Sequence, residues 1–253
     1  MKVAVLVKHV PDVQSDRRIE DNRLVRGEDD VINELDENAV EAAVALVENL
    51  GGEAIAVTMG PEDAVDAVRR ALQMGADRGV HICDERAAGL DAAGTAQVLA
   101  AAIQRLGSEG GVDLVIAGMT ASDGETSLVP PALAARLGWP VLTVAAAVES
   151  DGQQVTIQRI SEHVDEQLSA ALPAVISVTD QANEPRIPAF KAMMTARKKP
   201  VEEWDFDDLG LADFTCTTHV CAAEPVPARE QGTIVTDTGQ AGQDLAAYLK
   251  QVM

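Results

Sequence analysis

Short apolar runs alternate with stretches of helical periodicity along the first half of the chain. Four runs are too short for helices and are typical of buried strands: Val3–Val7, Ala54–Thr58, Val80–Cys83 and Leu114–Ala117. Between them apolar residues recur at three- and four-residue spacing, which predicts helices over 37–49, 62–74, 94–106 and 128–137. This alternation predicts an α/β fold with a doubly wound, mostly parallel sheet.

The pattern changes after Pro140. Three strand-like runs, Leu142–Val148, Val155–Ile160 and Ala174–Thr179, follow one another without clear helices. A turn signal at 150–152 predicts a hairpin between the first two. We therefore expect antiparallel strands to extend or flank the parallel sheet.

The chain beyond residue 200 is acidic and irregular, with isolated apolar residues. These residues are Trp204, Phe206, Leu209, Leu211 and Phe214. Such a segment needs a surface to lie on, either its own domain or a partner. The pattern alone leaves both open.

The amino-acid composition limits the classes of function that this chain can have. The 253 residues are 47% hydrophobic, which is enough for a single core. Asp and Glu number 41 against 20 Lys and Arg, giving a net charge of -21, and this disfavours nucleic acid as a partner. The apolar runs are too short for a signal peptide or a membrane span, so we predict a cytoplasmic protein.

Few side chains suggest metal or acid–base chemistry. Cys216, His219 and Cys221 lack the second ligand pair of a structural zinc site, so no metal site is predicted. His9, His81 and His219 have no companion acid at instructive spacing, and we expect satisfied or solvated histidines. No catalytic constellation stands out from the acidic background.

The loop 118–127 is the chemically suggestive one. It leaves a predicted parallel strand and enters a helix, where backbone N–H groups and the helix dipole favour an anion. Gly118 and Gly124 would let a phosphate approach, and Thr126 and Ser127 add donors. The alternative is that Asp123 or Ser122 merely caps the helix, and the spacing leaves both open.

The segment 183–200, NEPRIPAFKAMMTARKKP, concentrates scarce positive charge. Pro185 and Pro188 stiffen its first part, and helix-forming residues follow from Ala189 until Pro200. On charge alone, the cluster of basic residues favours a solvated helix end.

These segments together resemble the electron transfer flavoprotein β-subunit family. The resemblance is collinear over most of the chain: VAVLVKHVPD, INELDENAVEAA, TMGPEDA, RRALQMGADRGVHI, DLVIAG, ASDGETSLVPPALAARLGWP and the NEPR segment. It implies a Rossmann-like fold of the adenine nucleotide α-hydrolase type. It also implies a nucleotide-binding domain over 1–200 and a tail, 201–253, that packs on the partner subunit.

In that family, 183–200 is a recognition loop that docks an apolar anchor into partner dehydrogenases, and the anchor position here is Phe190. The implied recognition residues are Asn183, Glu184, Pro185, Arg186, Phe190, Lys191, Lys198 and Lys199.

The resemblance also implies an AMP pocket in this chain. The implied residues are Leu6, Lys8, Asn33, Glu34, Leu35, Asp36, Met59, Gly118, Asp123, Gly124, Glu125, Thr126, Ser127, Leu128 and Val129. Arg159 is similar to an arginine that faces the flavin ring across the subunit interface, where a cation would stabilise a reduced, anionic flavin.

The implied function is that of a non-catalytic electron carrier subunit. Its α-subunit partner carries the redox FAD, accepts electrons from flavin dehydrogenases, with the acyl-CoA type expected, and passes them through a quinone oxidoreductase toward the quinone pool. Two alternatives stay open: a bifurcating-type β-subunit with a second FAD in the pocket, or an ATP-binding stress or adenylating protein of the same fold.

Overall fold

The computed structural model describes residues 1–27, 29–108, 110–214, 216, 218–224 and 226–252. The strands are β1 (Lys2–Leu6), β2 (His9–Pro11), β3 (Ile19–Glu20), β4 (Arg23–Leu24), β5 (Asp30–Ile32), β6 (Glu53–Met59), β7 (Arg78–Ile82), β8 (Leu114–Gly118), β9 (Val141–Ala145), β10 (Ala147–Ser150), β11 (Gln154–Ile160), β12 (Asp165–Ala171), β13 (Ala174–Val178) and β14 (Val201–Trp204). The helices are α1 (Glu34–Leu50), α2 (Val65–Met74), α3 (Ala92–Gly107), α4 (Val129–Leu137), α5 (Phe190–Ala196) and α6 (Ala241–Val252), with 3-10 turns at Glu62–Ala64 and Glu85–Ala87.

The predicted α/β architecture is confirmed. Within the described residues, a seven-stranded sheet has the order β14-β7-β6-β1-β8-β13-β9, and every pairing in it is parallel. After β1 the chain builds outward through β6 and β7, then returns to place β8 on the other side of β1. The strand order therefore reverses between β1 and β8, and in open α/β sheets ligands bind at this switch point, beyond the carboxyl ends of the strands.

Helices cover both faces of this sheet. Residues of α1 and α2, such as Val40 and Val68, share one hydrophobic cluster with the sheet, and residues of α3 and α4, such as Leu99 and Leu133, share the other. A Cβ on Gly79 of β7 would lie 2.1 Å from a methyl carbon of Val68, so glycine is needed where α2 packs on this strand. The central strands, such as β1 and β8, are apolar on both faces because both faces are buried.

The first part of the segment after residue 200 follows one of the two alternatives that the sequence pattern left open. β14 pairs with β7, Trp204 is buried, and Phe206 is fully buried with its ring 5.6 Å from Phe214 in an edge-to-face contact. Residues 201–214 therefore pack on their own domain, where β14 forms the edge of the sheet beyond β7. The chain divides into two compact units, Met1–Ala223 and Glu224–Met253. Partner packing stays a prediction for the second unit, which contains α6.

The region after Pro140 also differs in detail. The run predicted as one strand, Leu142–Val148, is divided between β9, in the parallel sheet, and β10, in a separate antiparallel sheet of order β10-β11-β12. The predicted hairpin between β10 and β11 is confirmed. Strand β12 and the short strands β2 to β5 were not predicted, because their sequences are polar or very short.

Candidate functional site

Asp36 ties together the two strand ends at the switch point. This residue lies in the first turn of α1, and its carboxylate accepts hydrogen bonds from the backbone N–H of Lys8 at 2.8 Å and of Gly118 at 3.2 Å. A Cβ on Gly118 would lie 2.4 Å from the nearer carboxylate oxygen, so only glycine fits there. Burial raises the pKa of Asp36 to about 7, against the opposing effect of its hydrogen bonds with Asn33 and the two N–H groups.

Asn33 fixes the first part of the loop that follows β8. Its amide nitrogen donates to the carbonyl of Thr120 at 2.9 Å, and its amide oxygen accepts from the N–H of Ser122 at 3.1 Å. Its own N–H donates to the carbonyl of Lys8 at 2.9 Å. Asn33 therefore connects the segment after β1 to the loop after β8.

Asp123 forms ion pairs with two cationic side chains of the site. Its carboxylate accepts from the ammonium of Lys8 at 2.8 Å and forms a short ion pair with Arg26. Burial of the carboxyl opposes ionisation, but these two cations prevail and hold the pKa of Asp123 below its usual value. Arg17 joins the same loop by donating to the carbonyl of Ser122 at 2.9 Å. Sequence reasoning missed Arg17 and Arg26, because isolated arginines in an irregular segment give no pattern.

The exposed part of the loop is open to a ligand. Residues 124–128 are exposed, and Glu125 and Ser127 have positive φ angles of 47° and 53°, a strained backbone that is common at ligand sites. A Cβ on Gly124 would meet nothing within 4 Å. Val129 begins α4, whose N-terminus carries the positive end of the helix dipole.

Two hydroxyls at this site lack protein partners. The side-chain oxygens of Thr120 and Ser122 are buried and have no hydrogen-bond partner among the described residues. Buried hydroxyls are normally satisfied, so this pair is unusual. The hydroxyl-rich sequence of the loop could have indicated them.

The remaining predicted pocket residues also lie at the carboxyl edge of the sheet. Leu6 and Met59 end β1 and β6, while Glu34 and Leu35 open α1. Arg159 is different: it lies on β11, where its guanidinium donates to the carbonyl of Thr143 at 2.9 Å and pairs with Glu166 at 3.4 Å. It therefore belongs to the three-stranded sheet and not to the residues at the strand ends.

Part of the segment 183–200 is fastened to the domain. Arg186 forms ion pairs of 2.7 Å with both Glu41 and Glu48 of α1, and Asn183 exchanges hydrogen bonds with Asn38. The ammonium of Lys199 donates to three carbonyls at the end of α2, the shortest being that of Ala76 at 2.6 Å. Burial lowers the pKa of Lys199. Lys199 thus has a structural contact that its charge did not predict.

The middle of the same segment is exposed and apolar. Phe190 is 75% exposed and Ile187 is 92% exposed, and Met193 and Met194 add further exposed surface. Glu184, Lys191 and Lys198 are exposed around them, and Pro185 is partly buried. Sequence analysis named Phe190 and overlooked Ile187, although its position between Arg186 and Pro188 marks it.

The histidines have different environments. His81 is fully buried and its Nε2 lies 3.0 Å from the carbonyl of Pro61, which confirms a satisfied core histidine. His9 does not follow the prediction, because its Nδ1 lies 3.9 Å from a carboxylate oxygen of Asp30 and 3.9 Å from one of Asp63. Asp30 and Asp63 lie far from His9 in the sequence, so residue spacing could not indicate this contact.

None of the helices within the described residues combines the length and apolar character that a membrane span requires.

Comparison with known proteins agrees with this architecture. Residues 22–209 match the family described as electron transfer flavoprotein domain. The chain is 39% identical to the electron transfer flavoprotein subunit beta of Mycobacterium tuberculosis, over 98% of this chain and 97% of that protein. It is 32% identical to the caffeyl-CoA reductase-Etf complex subunit CarD of Acetobacterium woodii, over 99% and 98%, and 35% identical to protein FixA of Azorhizobium caulinodans, over 85% and 79%.

A mostly parallel seven-stranded sheet covered by helices, with additional antiparallel strands, defines an α/β protein with a Rossmann-like fold. The chain belongs to the electron transfer flavoprotein β-subunit family. It is accordingly an electron carrier subunit and not an enzyme, which confirms the family resemblance read from the sequence. The ATP-binding stress or adenylating alternative is therefore set aside.

Proposed function

We propose that this chain pairs with an α-subunit that carries the redox FAD, and that it holds an adenine nucleotide at the switch point of its sheet. The observation that supports the pocket is the exposed loop 124–128, which lies at the switch point of the sheet and leads into the N-terminus of α4. The exposed backbone around Gly124 and the N-terminus of α4 fit a phosphate group. The Asp36 and Asn33 hydrogen bonds hold the loop in place beforehand.

The occupant is proposed to be AMP, and the alternative is a second FAD. Both present an adenosine phosphate to this chain, so the residues that hold the loop would serve either one. FAD supplies one- and two-electron chemistry when bound, whereas AMP has a structural role. The deciding experiment is to purify the complex of this chain with its α-subunit, denature it and identify the released nucleotides by mass spectrometry. AMP with one FAD supports the first assignment, two FAD supports the alternative, and one FAD with no other nucleotide refutes the pocket.

Gly124→Val tests the position of the pocket. A side chain at Gly124 meets open space in the chain itself, and the backbone there does not have a positive φ. We therefore expect a normal melting temperature but a lower nucleotide content, because the new side chain would lie where a phosphate approaches the loop. Gly118→Ala is the contrasting variant, since its Cβ would strike Asp36 and damage the fold. Full nucleotide content in a folded Gly124→Val protein would remove this loop from the site.

The exposed part of 183–200 is proposed to dock onto flavin dehydrogenases, of which the acyl-CoA type is expected, and onto a quinone oxidoreductase. Ile187 and Phe190 present apolar side chains to solvent. Arg186 and Lys199 hold the two ends of the segment. A fixed segment loses little conformational freedom on binding, which suits a docking element. Electrons would pass from the dehydrogenase to the flavin of the complex and on toward the quinone pool.

Two further regions are proposed to contact the α-subunit. In α6, the exposed residues Leu245, Tyr248, Leu249 and Val252 follow a spacing of three, four and seven, which makes one apolar stripe. Such a stripe is typical of a helix that packs on a partner. Arg159, held by Thr143, is proposed to face the flavin of the α-subunit, where its charge would favour the reduced, anionic form.

A further inference from the structure

Three side chains from separate parts of the chain converge beside the segment that follows β1. The Nδ1 atom of His9 lies 3.9 Å from an oxygen of Asp30 and 3.9 Å from an oxygen of Asp63, and all three atoms lie within 4.8 Å of one another. The side chains of His9 and Asp30 are 8% and 4% exposed, while that of Asp63 is 37% exposed. The cluster is thus closed on one side and open to water at Asp63.

The fold explains why these residues meet. Strands β2 and β5 pair with His9 opposite Ile32 and with Pro11 opposite Asp30. His9 and Asp30 therefore lie diagonally on the same face of this ribbon. Asp63 comes from the 3-10 turn after β6. Gly27, with a φ of 86°, donates its N–H to Asp30 at 3.1 Å, and a Cβ on it would lie 3.1 Å from the Asp63 carboxylate.

Within the described part of the chain, the Nδ1 atom of the His9 imidazole is left without a hydrogen bond. His9 Nδ1 is buried and has no hydrogen-bond partner among the described residues, and a separation of 3.9 Å from each carboxylate is too long for one. No lysine or arginine among the residues that the structure describes forms an ion pair with Asp30 or Asp63. A buried nitrogen aimed between two carboxylates that no basic residue neutralises calls for a cation.

We propose that His9, Asp30 and Asp63 bind a divalent first-row metal ion of the zinc type. One imidazole nitrogen and two carboxylate oxygens are ligands that Zn²⁺ accepts, with water completing the coordination at the exposed side of Asp63. Bond lengths of about 2.0–2.1 Å in a tetrahedral site put ligand atoms about 3.3 Å apart. Each separation of 3.9 Å between His9 and a carboxylate must therefore shorten by about 0.6 Å, and the separation of the two carboxylate oxygens, which is at most 4.8 Å, by at most about 1.5 Å. The two positive charges of the ion balance the two carboxylates.

The metal would connect the 12–30 segment to the loop at the switch point. Arg26 donates to the carbonyl of His9 at 3.1 Å and also pairs with Asp123. Fixing His9 against Asp30 and Asp63 therefore fixes the backbone from which Arg26 reaches that loop. This role does not depend on which nucleotide the pocket holds.

The test is metal binding by the full-length chain without a histidine tag, stripped with a chelator and then dialysed. Zn²⁺ affinity is measured by competition with a chromophoric chelator, and Co²⁺ serves as the spectroscopic probe. We expect one ion per chain, with visible d–d absorption of Co²⁺ but no thiolate charge-transfer band. His9→Gln and Asp63→Asn should each weaken Zn²⁺ binding by roughly tenfold or more.

Two control variants separate this site from others. The double change Cys216→Ser and Cys221→Ser removes the thiols near His219, and His163→Gln removes an exposed histidine elsewhere. Both should bind Zn²⁺ as the unchanged chain does. If His9→Gln fails to fold, Asp63→Asn decides, because its side chain is partly exposed. Absence of stoichiometric uptake, unchanged affinity in Asp63→Asn, or loss of binding in the cysteine variant would overturn the site.

Discussion

Truncating Phe190 separates docking from folding, because the structure leaves this side chain almost unsupported. Complete burial of a phenylalanine stabilises a fold by about 1.5–3 kcal/mol. With Phe190 75% exposed, the burial that Phe190→Ala removes from the free chain is worth only about 0.5 kcal/mol. If a partner buries the ring as a central anchor, the same change costs about 2 kcal/mol or more of binding, which is about thirtyfold in Kd.

Phe206→Ala is the matched control, since it removes the same side chain from the core. Phe206 is fully buried, its ring contacts Phe214, and the guanidinium of Arg86 lies 5.0 Å from the ring centroid. We expect this variant to lose about 3–5 kcal/mol of folding free energy. The two variants should therefore differ in what they change: Phe190→Ala lowers the affinity for the dehydrogenase, and Phe206→Ala lowers the stability of the fold.

The assay is reduction of the purified two-subunit complex by a flavin dehydrogenase, followed at several dehydrogenase concentrations beside a melting curve. Phe190→Ala should melt with the unchanged complex, keep its flavin and need a higher dehydrogenase concentration for the same rate. A Phe190→Ala complex that melts early but is reduced at the normal rate would refute the docking assignment. Ile187→Ala in the same assay measures how far the anchor extends.

Lys198→Met and Lys199→Met should also differ. Lys199→Met should lower the free energy of unfolding by roughly 1–3 kcal/mol, because the carbonyls at the end of α2 lose their donor. Lys198→Met should leave the melting temperature unchanged and slow reduction by the dehydrogenase, most of all at low salt. Equal melting temperatures for the two variants would contradict this. Folding raises the pKa of Asp36 from 3.8 to about 7, so the folded state binds the proton more tightly than the unfolded state. The contribution of Asp36 to stability is therefore largest below about pH 4 and falls by about 4 kcal/mol as the pH rises to about 7. Asp36→Asn, which does not titrate, should flatten that part of the denaturation-against-pH curve, and parallel curves for the two proteins would show that Asp36 ionises normally.

The sequence predicts the central strands well because burial on both faces leaves an uninterrupted apolar run, as in Val3–Val7. It does not predict β14, whose residues VEEW contain two acids, since the strand is recognised only when β7 offers it an edge. Strand β12 is missed for a similar reason: DEQLSAA is mostly exposed and carries no apolar periodicity.

Site residues divide in the same way. The loop after β8 is predictable because glycines and hydroxyls stand between a strand and a helix. The contribution of Arg26 is not, since its contact with Asp123 spans 97 residues and depends on the path of the whole 12–30 segment. The contact of Lys199 with the end of α2 is also not predictable, because it depends on how the two segments pack in the fold.

The segment 183–200 also connects two strands that lie far apart in the same sheet. β13 and β14 are separated by five strand spacings, or about 24 Å across the sheet. On its way the chain is held at α1 by Arg186 and at the end of α2 by Lys199. A deletion here would pull β14 away from β7, and an insertion would slacken the span between these two attachments. Adaptation to a new redox partner should therefore proceed by substitution at exposed positions such as Ile187 and Phe190, with the length of the segment unchanged.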